Sequence, residues 1–247
     1  MPRELITIQV GQCGNQIGCR FWEMCLKEHA AHNKKGYFDE ALSSFFRNVD
    51  SRYDPPHNLP VGDGRGRIQT LKARAVLVDM EEGVVNELLT GNLAELFDTR
   101  QQLTAVSGAG NNWAHGHHGY GPKYADDLLE KIRRPVEQSE SLQSFLMLHS
   151  LGGGTGSGVG TYILNLLEDN FPDVYRFTAS VFPSEDDDVV TSPYNSLLSL
   201  AELTDHADCV LPIENAALQD ICTNIDENYR CAPRSPSSPF LHGTDRP

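Results

Sequence analysis

The chain has no CxxC pair. Its six cysteines stand apart at positions 13, 19, 25, 209, 222 and 231, a spacing that matches neither a closed zinc site nor a disulfide framework. Thiols scattered in this way suit a reducing compartment. Basic charge is scarce. The 20 Lys and Arg residues face 34 Asp and Glu, for a formal net charge of -14, which argues against loose electrostatic binding to nucleic acid or to an anionic membrane. Long apolar runs are missing, as is a basic segment leading into an apolar one, so neither a membrane span nor a secretion signal is read and a soluble intracellular protein is expected. At 247 residues the chain can bury a substantial core without disulfides or metals.

Two nucleotide-binding patterns are also absent. No glycine loop ends in the Lys-Ser or Lys-Thr of a P-loop, and the first glycine turn lacks GxGxxG with an acid about 20 residues on, which disfavours a dinucleotide-dependent oxidoreductase. What is present is the run FLMLHSLGGGTGSGVGTYILNLL over 145–167. A hydrophobic strand ends at Ser150, then Gly152, Gly153, Gly154, Thr155, Gly156, Ser157 and Gly158 follow, then an amphipathic helix from about Val159. A loop with few side chains lets backbone N–H groups approach anionic oxygens, and a helix behind it adds the positive end of its dipole. Thr155 and Ser157 add hydroxyl donors. The plain alternative is a flexible glycine turn.

Strands and helices alternate along the chain. Residues 5–10 (LITIQV) read as a strand feeding a helix over 15–28, residues 73–78 (ARAVLV) as a buried strand before Asp79, and 84–89 as part of a short helix. A helix is expected over 124–136, a strand from 145, a strand over 174–182, a helix over 193–203, a strand over 209–213 and a helix from 215. This is an α/β pattern, a mostly parallel sheet covered by helices on both faces in three layers. Residues 40–49 read as weakly helical or irregular. Residues 50–70, with three prolines and three glycines, read as an exposed loop or insertion, and the proline-rich stretch 228–247 as a disordered tail after a domain spanning 1–227.

The turns after the strands hold the candidate site residues, because ligands in such sheets bind beyond the carboxyl ends of the strands. In the turn from Gly11 to Gly18, Gln12 and Cys13 either face a ligand or merely open a helix. In the turn from Ser107 to Asn112, small residues offer backbone donors. Asp79 and Glu81, just past a buried strand, either hold magnesium through water or serve as a helix cap and first-turn acid. Residues 184–188 (SEDDD) are either ribose acceptors or a solvated loop. Asn215 either pairs with a purine edge or caps a helix. His115, His117 and His118 have no cysteine or acid beside them and read as surface loop histidines.

The segments GQCGNQIG at 11–18, ARAVLVDMEEG at 73–83, SGAGNNWAHG at 107–116, HSLGGGTGSGVGT at 149–161 and SPYNSLLSL at 192–200 together resemble the tubulin family over residues 3–222. FDEALSSFFRNVD at 38–50, MEEGVVNELL at 80–89 and VTSPYN at 190–195 are most similar to its epsilon branch. The resemblance implies a tubulin/FtsZ-type GTPase fold and the ligands GTP or GDP with Mg²⁺. It places Gln12, Cys13, Gln16, Ala109, Gly110, Asn111, Ser150, Gly153, Gly154, Thr155 and Gly156 against the nucleotide, Asp79 and Glu81 near magnesium, Asp187 or Asp188 near ribose and Asn215 on guanine. The usual glutamate before the proline of the EPYN segment is Ser192 here, which removes one ribose contact. It implies other tubulins and centriolar or basal-body proteins as partners, and a place in the cytoplasmic cytoskeleton at centrioles or basal bodies. It also implies a shortened chain. No match is visible to the family's central helix with its base-stacking tyrosine, nor to the acid that acts on a neighbour's nucleotide, so this chain alone is expected not to complete hydrolysis.

Overall fold

In the computed structural model, which describes residues 3–32, 40–53, 56–59, 68, 70–184 and 189–231, β1 (Glu4–Val10) runs straight into α1 (Gly11–His32). Next come β2 (Phe46–Asp50), β3 (His57–Leu59), β4 (Thr70–Ala73), β5 (Ala75–Asp79), α2 (Glu82–Thr90) and β6 (Gln102–Thr104). The chain continues through the short α3 (Gly121–Lys123), α4 (Ala125–Glu137), β7 (Leu142–Ser150), α5 (Gly160–Asn170), β8 (Tyr175–Phe182), α6 (Ser192–His206), β9 (Cys209–Glu214) and α7 (Asn215–Cys231).

The main sheet has the order β6-β5-β1-β7-β8-β9, and every neighbouring pair is parallel. From β1 the chain builds outward through β5 and β6, then returns to the other side of β1 for β7, β8 and β9. The order therefore reverses between β1 and β7. At such a point the turns leaving two adjacent strands part to opposite faces and open a crevice.

One face packs Ile6, Ile8, Val76, Val78, Phe145 and Met147 against Leu128 and Ile132 of α4, Ile163, Leu164 and Leu167 of α5 and Leu203 of α6. The four-residue step from Leu128 to Ile132 keeps both on one stripe of α4, and Pro135 extends it near the helix end. The opposite face packs Ala75 and Leu77 against Trp22 of α1 and Val85 of α2. Gly14 lets α1 come close to the sheet, since a Cβ there would lie 2.1 Å from the Leu148 carbonyl oxygen. These layers are the α/β arrangement read from the sequence.

Three local expectations change. The single strand over 73–78 is broken at Arg74, whose N–H donates to the Phe45 carbonyl while its own carbonyl accepts from Thr7. Here the chain passes from β4, paired with β2, to β5, paired with β1. Arg74 is buried in an ion pair with Glu4. Residues 40–49 are not weakly helical throughout. A 3-10 turn (Glu40–Ser44) gives way to β2, all five of whose residues are buried. Its polar members concealed it: Arg47 donates to Asn58 at 3.1 Å, and Asp50 is bracketed by Arg52 at 2.8 Å. Within the stretch read as a loop, His57–Leu59 forms β3, so a small antiparallel sheet β3-β2-β4 stands beside the main one. Residues 60–67 and 232–247 lie outside the described residues, and α7 continues to Cys231.

Candidate functional site

The turns after β1, β5, β6 and β7 meet around a cavity of about 310 Å³ beyond the carboxyl edge of the sheet. It is lined by Gly11, Gln12, Cys13 and Gln16 from α1, Asp79 and Glu81 after β5, Ala109, Gly110 and Asn111 from the third turn, and Ser150, Gly153, Gly154, Thr155 and Gly156 from the glycine loop. Val84 of α2 closes one side. The sequence reading thus brought thirteen of its sixteen named residues to one place and missed Gly11 and Val84. Asp187 and Asp188 lie outside the described residues. Asn215 is exposed at the junction of β9 and α7 and does not line the cavity. It sits on the same sheet edge two strands from β7, roughly 10 Å away at ordinary strand spacing.

The glycine loop is less of a loop than expected. Thr155–Val159 already turns as a π-helix continuous with α5, and no side chain caps it. Its first N–H groups and the helix dipole are therefore left for a ligand. The loop's carbonyls are engaged elsewhere. Gly152 accepts from Asn195 at 2.8 Å, Gly153 from the Ser157 hydroxyl, Gly154 from the Gly158 N–H at 2.9 Å, and Gly156 from His149 at 2.8 Å. The Ser157 hydroxyl, read as a donor to ligand, is fully buried and turned back on its own loop. With these oxygens drawn into the protein, the N–H groups can serve an anion without a repelling carbonyl beside it.

His149 contributes from the core. It is fully buried, and burial holds its pKa down to about 4, so the ring is neutral. The Gly156 carbonyl can only accept, so Nδ1 holds the proton and Nε2 accepts from the Ser180 hydroxyl at 2.8 Å. Asn15, also fully buried, donates to the carbonyls of Gly11 at 3.0 Å and Val78 at 3.2 Å and ties two turns together. In the third turn Gly108, Gly110 and Asn111 all have positive φ, +59°, +59° and +51°, a run that coils the backbone tightly over Glu81.

Asp79 is buried at the foot of the cavity. Burial pushes its carboxyl up to about 6, Glu81 adds to the rise, and the backbone N–H groups of Glu81 and Met80 oppose it. Among the described residues its Oδ2 has no hydrogen-bond partner. No Lys or Arg lines the cavity among the described residues. A polyphosphate here would meet two carboxylates, and a cation between them resolves the repulsion. An orphaned carboxylate oxygen beside a second carboxylate and neutral amides is a hard-oxygen donor set that suits Mg²⁺. Burial also pushes the Cys13 thiol up, away from a reactive thiolate.

The histidine cluster departs from expectation. His115–Tyr120 forms a π-helical turn, and His117 is buried within it, stacked on Trp113 at 4.5 Å and bonded to Thr161 at 3.0 Å. Only His115 and His118 of the three are exposed. Ser192, in place of the glutamate the resemblance would supply, is buried and donates to the Gly152 carbonyl at 3.3 Å.

A model of the Tubulin/FtsZ family, GTPase domain, matches residues 4–223. The Tubulin epsilon chain of Mus musculus and that of Homo sapiens are each 59% identical over 225 residues, covering 90% of this chain and 46% of the relative. The Tubulin beta-2 chain of Suillus bovinus is 41% identical over 228 residues, covering 90% of this chain and 48% of the relative. The chain thus spans about half the length of the curated relatives it matches.

Proposed function

The chain belongs to the tubulin/FtsZ family, whose GTPase domain it contains, and on that premise we propose that the cavity receives the phosphates of Mg²⁺·GTP or GDP. One observation supports this reading above the others: four turns present backbone N–H groups, two carboxylates and no basic side chain to one cavity. Backbone dipoles of the glycine loop and the uncapped start of α5 would hold phosphate oxygens, and Gln12 and Gln16 offer amides from the first turns of α1. Asp79 and Glu81 would hold magnesium, which when bound offsets charge on the terminal phosphates. Asn215 would meet the base from the β9 edge, with residues 187 and 188 near ribose.

The wider role we propose is that of a tubulin-type component of the microtubule cytoskeleton at centrioles or basal bodies, with other tubulins as partners, following the 59% identity to Tubulin epsilon chains. In this reading GTP is turned over only when a neighbouring subunit contributes the acid that positions water. Titration of Mg²⁺·GTP into the purified chain tests the proposal. We expect binding weaker than about 1 μM, because an exposed Asn215 would leave the base in contact with water, and no turnover without the acid of a neighbouring subunit. Sub-micromolar affinity would overturn the weak-binding expectation, and no binding even at about 1 mM would overturn the nucleotide reading.

A further inference from the structure

Asn195 lines no part of the cavity, yet two of the phosphate-facing turns meet at its carboxamide. It lies in the first turn of α6 and is 3% exposed. Its backbone N–H donates to Thr191 at 3.0 Å, and its carbonyl accepts from the Ser199 hydroxyl at 2.7 Å. The side chain faces the turns. Nδ2 donates to the carbonyls of Asn111 at 2.9 Å and Gly152 at 2.8 Å, while Oδ1 accepts the Trp113 N–H at 2.9 Å. The two carbonyls can only accept and the N–H can only donate, so the amide orientation is fixed and a flipped amide would break all three bonds. Neighbours on the same helix end repeat the pattern: Thr191 donates to the Asn111 carbonyl at 2.6 Å and Ser192 to the Gly152 carbonyl.

We infer that Asn195 is a positioning residue that locks the turn at 107–113 and the glycine loop at 152–158 into one rigid cradle. The inference rests on the phosphate reading proposed above for what the cradle holds. By drawing the carbonyls of Asn111 and Gly152 toward α6, the carboxamide keeps both away from an anion in the cavity. No other residue type matches this pattern. Aspartate would set an acceptor oxygen, in place of Nδ2, against both carbonyls, glutamine is one methylene too long, and serine reaches at most one of the three partners.

Amide hydrogen exchange on the full chain tests the brace, read on peptides covering 107–116 and 150–160 in the wild type, Asn195→Ser, Asn195→Asp and Ser199→Ala. Exchange in both peptides should rise by about tenfold or more in Asn195→Ser and further in Asn195→Asp, while peptides from β1 and β5 keep their rates. Ser199→Ala, which leaves the carboxamide in place, should leave both peptides at wild-type rates. Unchanged exchange in Asn195→Ser, or a rise confined to one of the two turns, overturns the inference. If Asn195→Asp does not fold, Asn195→Ser decides alone. A second measurement addresses the phosphates: Asn195→Ser should lose about tenfold or more in Mg²⁺·GTP affinity and much less in GMP affinity. An equal loss for both overturns the phosphate-positioning role. A wild type that binds neither nucleotide overturns the function proposed above, and the exchange comparison still decides the brace.

Discussion

The two ends of the crevice are built differently. Around β1, β5 and β7 the strands are largely buried on both faces, whereas β9 is mostly half-buried or exposed and residues 215–225 of α7 are all exposed. Leu211 of β9 is 50% exposed, and Leu218 and Ile221 of α7 are 50% and 55% exposed. The exposed side of α6 adds Tyr194 and Leu197. Buried residues on α5 are therefore mirrored, one crossover later, by apolar residues in contact with water. The difference teaches that the cavity end is preassembled within this chain, whereas the end holding Asn215 has a surface of the kind that partner contacts cover.

The largest effect that would test this contrast comes from matched truncations. Ile132→Ala on α4 should cost about 2–5 kcal/mol, read as a lowered urea midpoint at constant slope. Ile221→Ala on α7 should change stability by less than about 0.5 kcal/mol. Comparable losses at both positions would erase the distinction between the two regions.

The pH dependence comes next. His149 is neutral when folded, with its pKa held at about 4, against about 6.5 in an unfolded chain. The unfolded state therefore takes up a proton first as pH falls. The contribution of His149 is full above about 6.5 and is lost as pH drops through about 4, at up to about 1.4 kcal/mol per pH unit within that window. Urea unfolding at several pH values checks this, and His149→Gln should flatten that part of the profile. An unchanged profile in His149→Gln would mean that the preassembled end does not depend on this neutral ring.

Asp79→Asn sharpens the same contrast at the cavity. Removing a buried carboxylate with an unpartnered oxygen should raise the thermal midpoint of the ligand-free chain by a few degrees and remove the magnesium dependence of GTP binding. A lowered midpoint would show that Asp79 is a structural cap. The smallest effect is expected on exposed helix faces: Arg20→Ala breaks the ion pair with Glu23 on α1 and should leave the urea midpoint unmoved, since exposed pairs contribute little.

Legibility followed burial pattern and backbone demand. β5 was readable because it is apolar on both faces up to Asp79, β1, β7 and β8 because apolar residues recur along at least one face, and α4 because Leu128 and Ile132 recur one turn apart. β2 was not, since three of its five residues are polar, and Arg47 among them finds its partners in Asn58 and Asp98, away from it in sequence. β6, three residues long, leaves too short a pattern to recognise. In the site, the glycines and the small residues at 107–110 announced themselves because a tight backbone turn facing a cavity needs side chains to be absent. Asn15, His149 and Asn195 gave no such signal. Each acts by bonding to backbone carbonyls, and nothing in sequence spacing says which carbonyls will be near.

The sequence by itself determined the sheet's parallel character, the turns that gather at one edge, the absence of a basic phosphate clamp and the family. Those follow from local composition and order, which are fixed before the chain folds. The tertiary structure alone decided which carbonyls are turned from the cavity, that Ser157 and His117 face inward, that Asp79 keeps an oxygen without a partner among the described residues, and that Asn215 stands apart from the cavity. These depend on contacts between elements as much as 84 residues apart, as between Asn111 and Asn195, and such contacts exist only once the strands are in register.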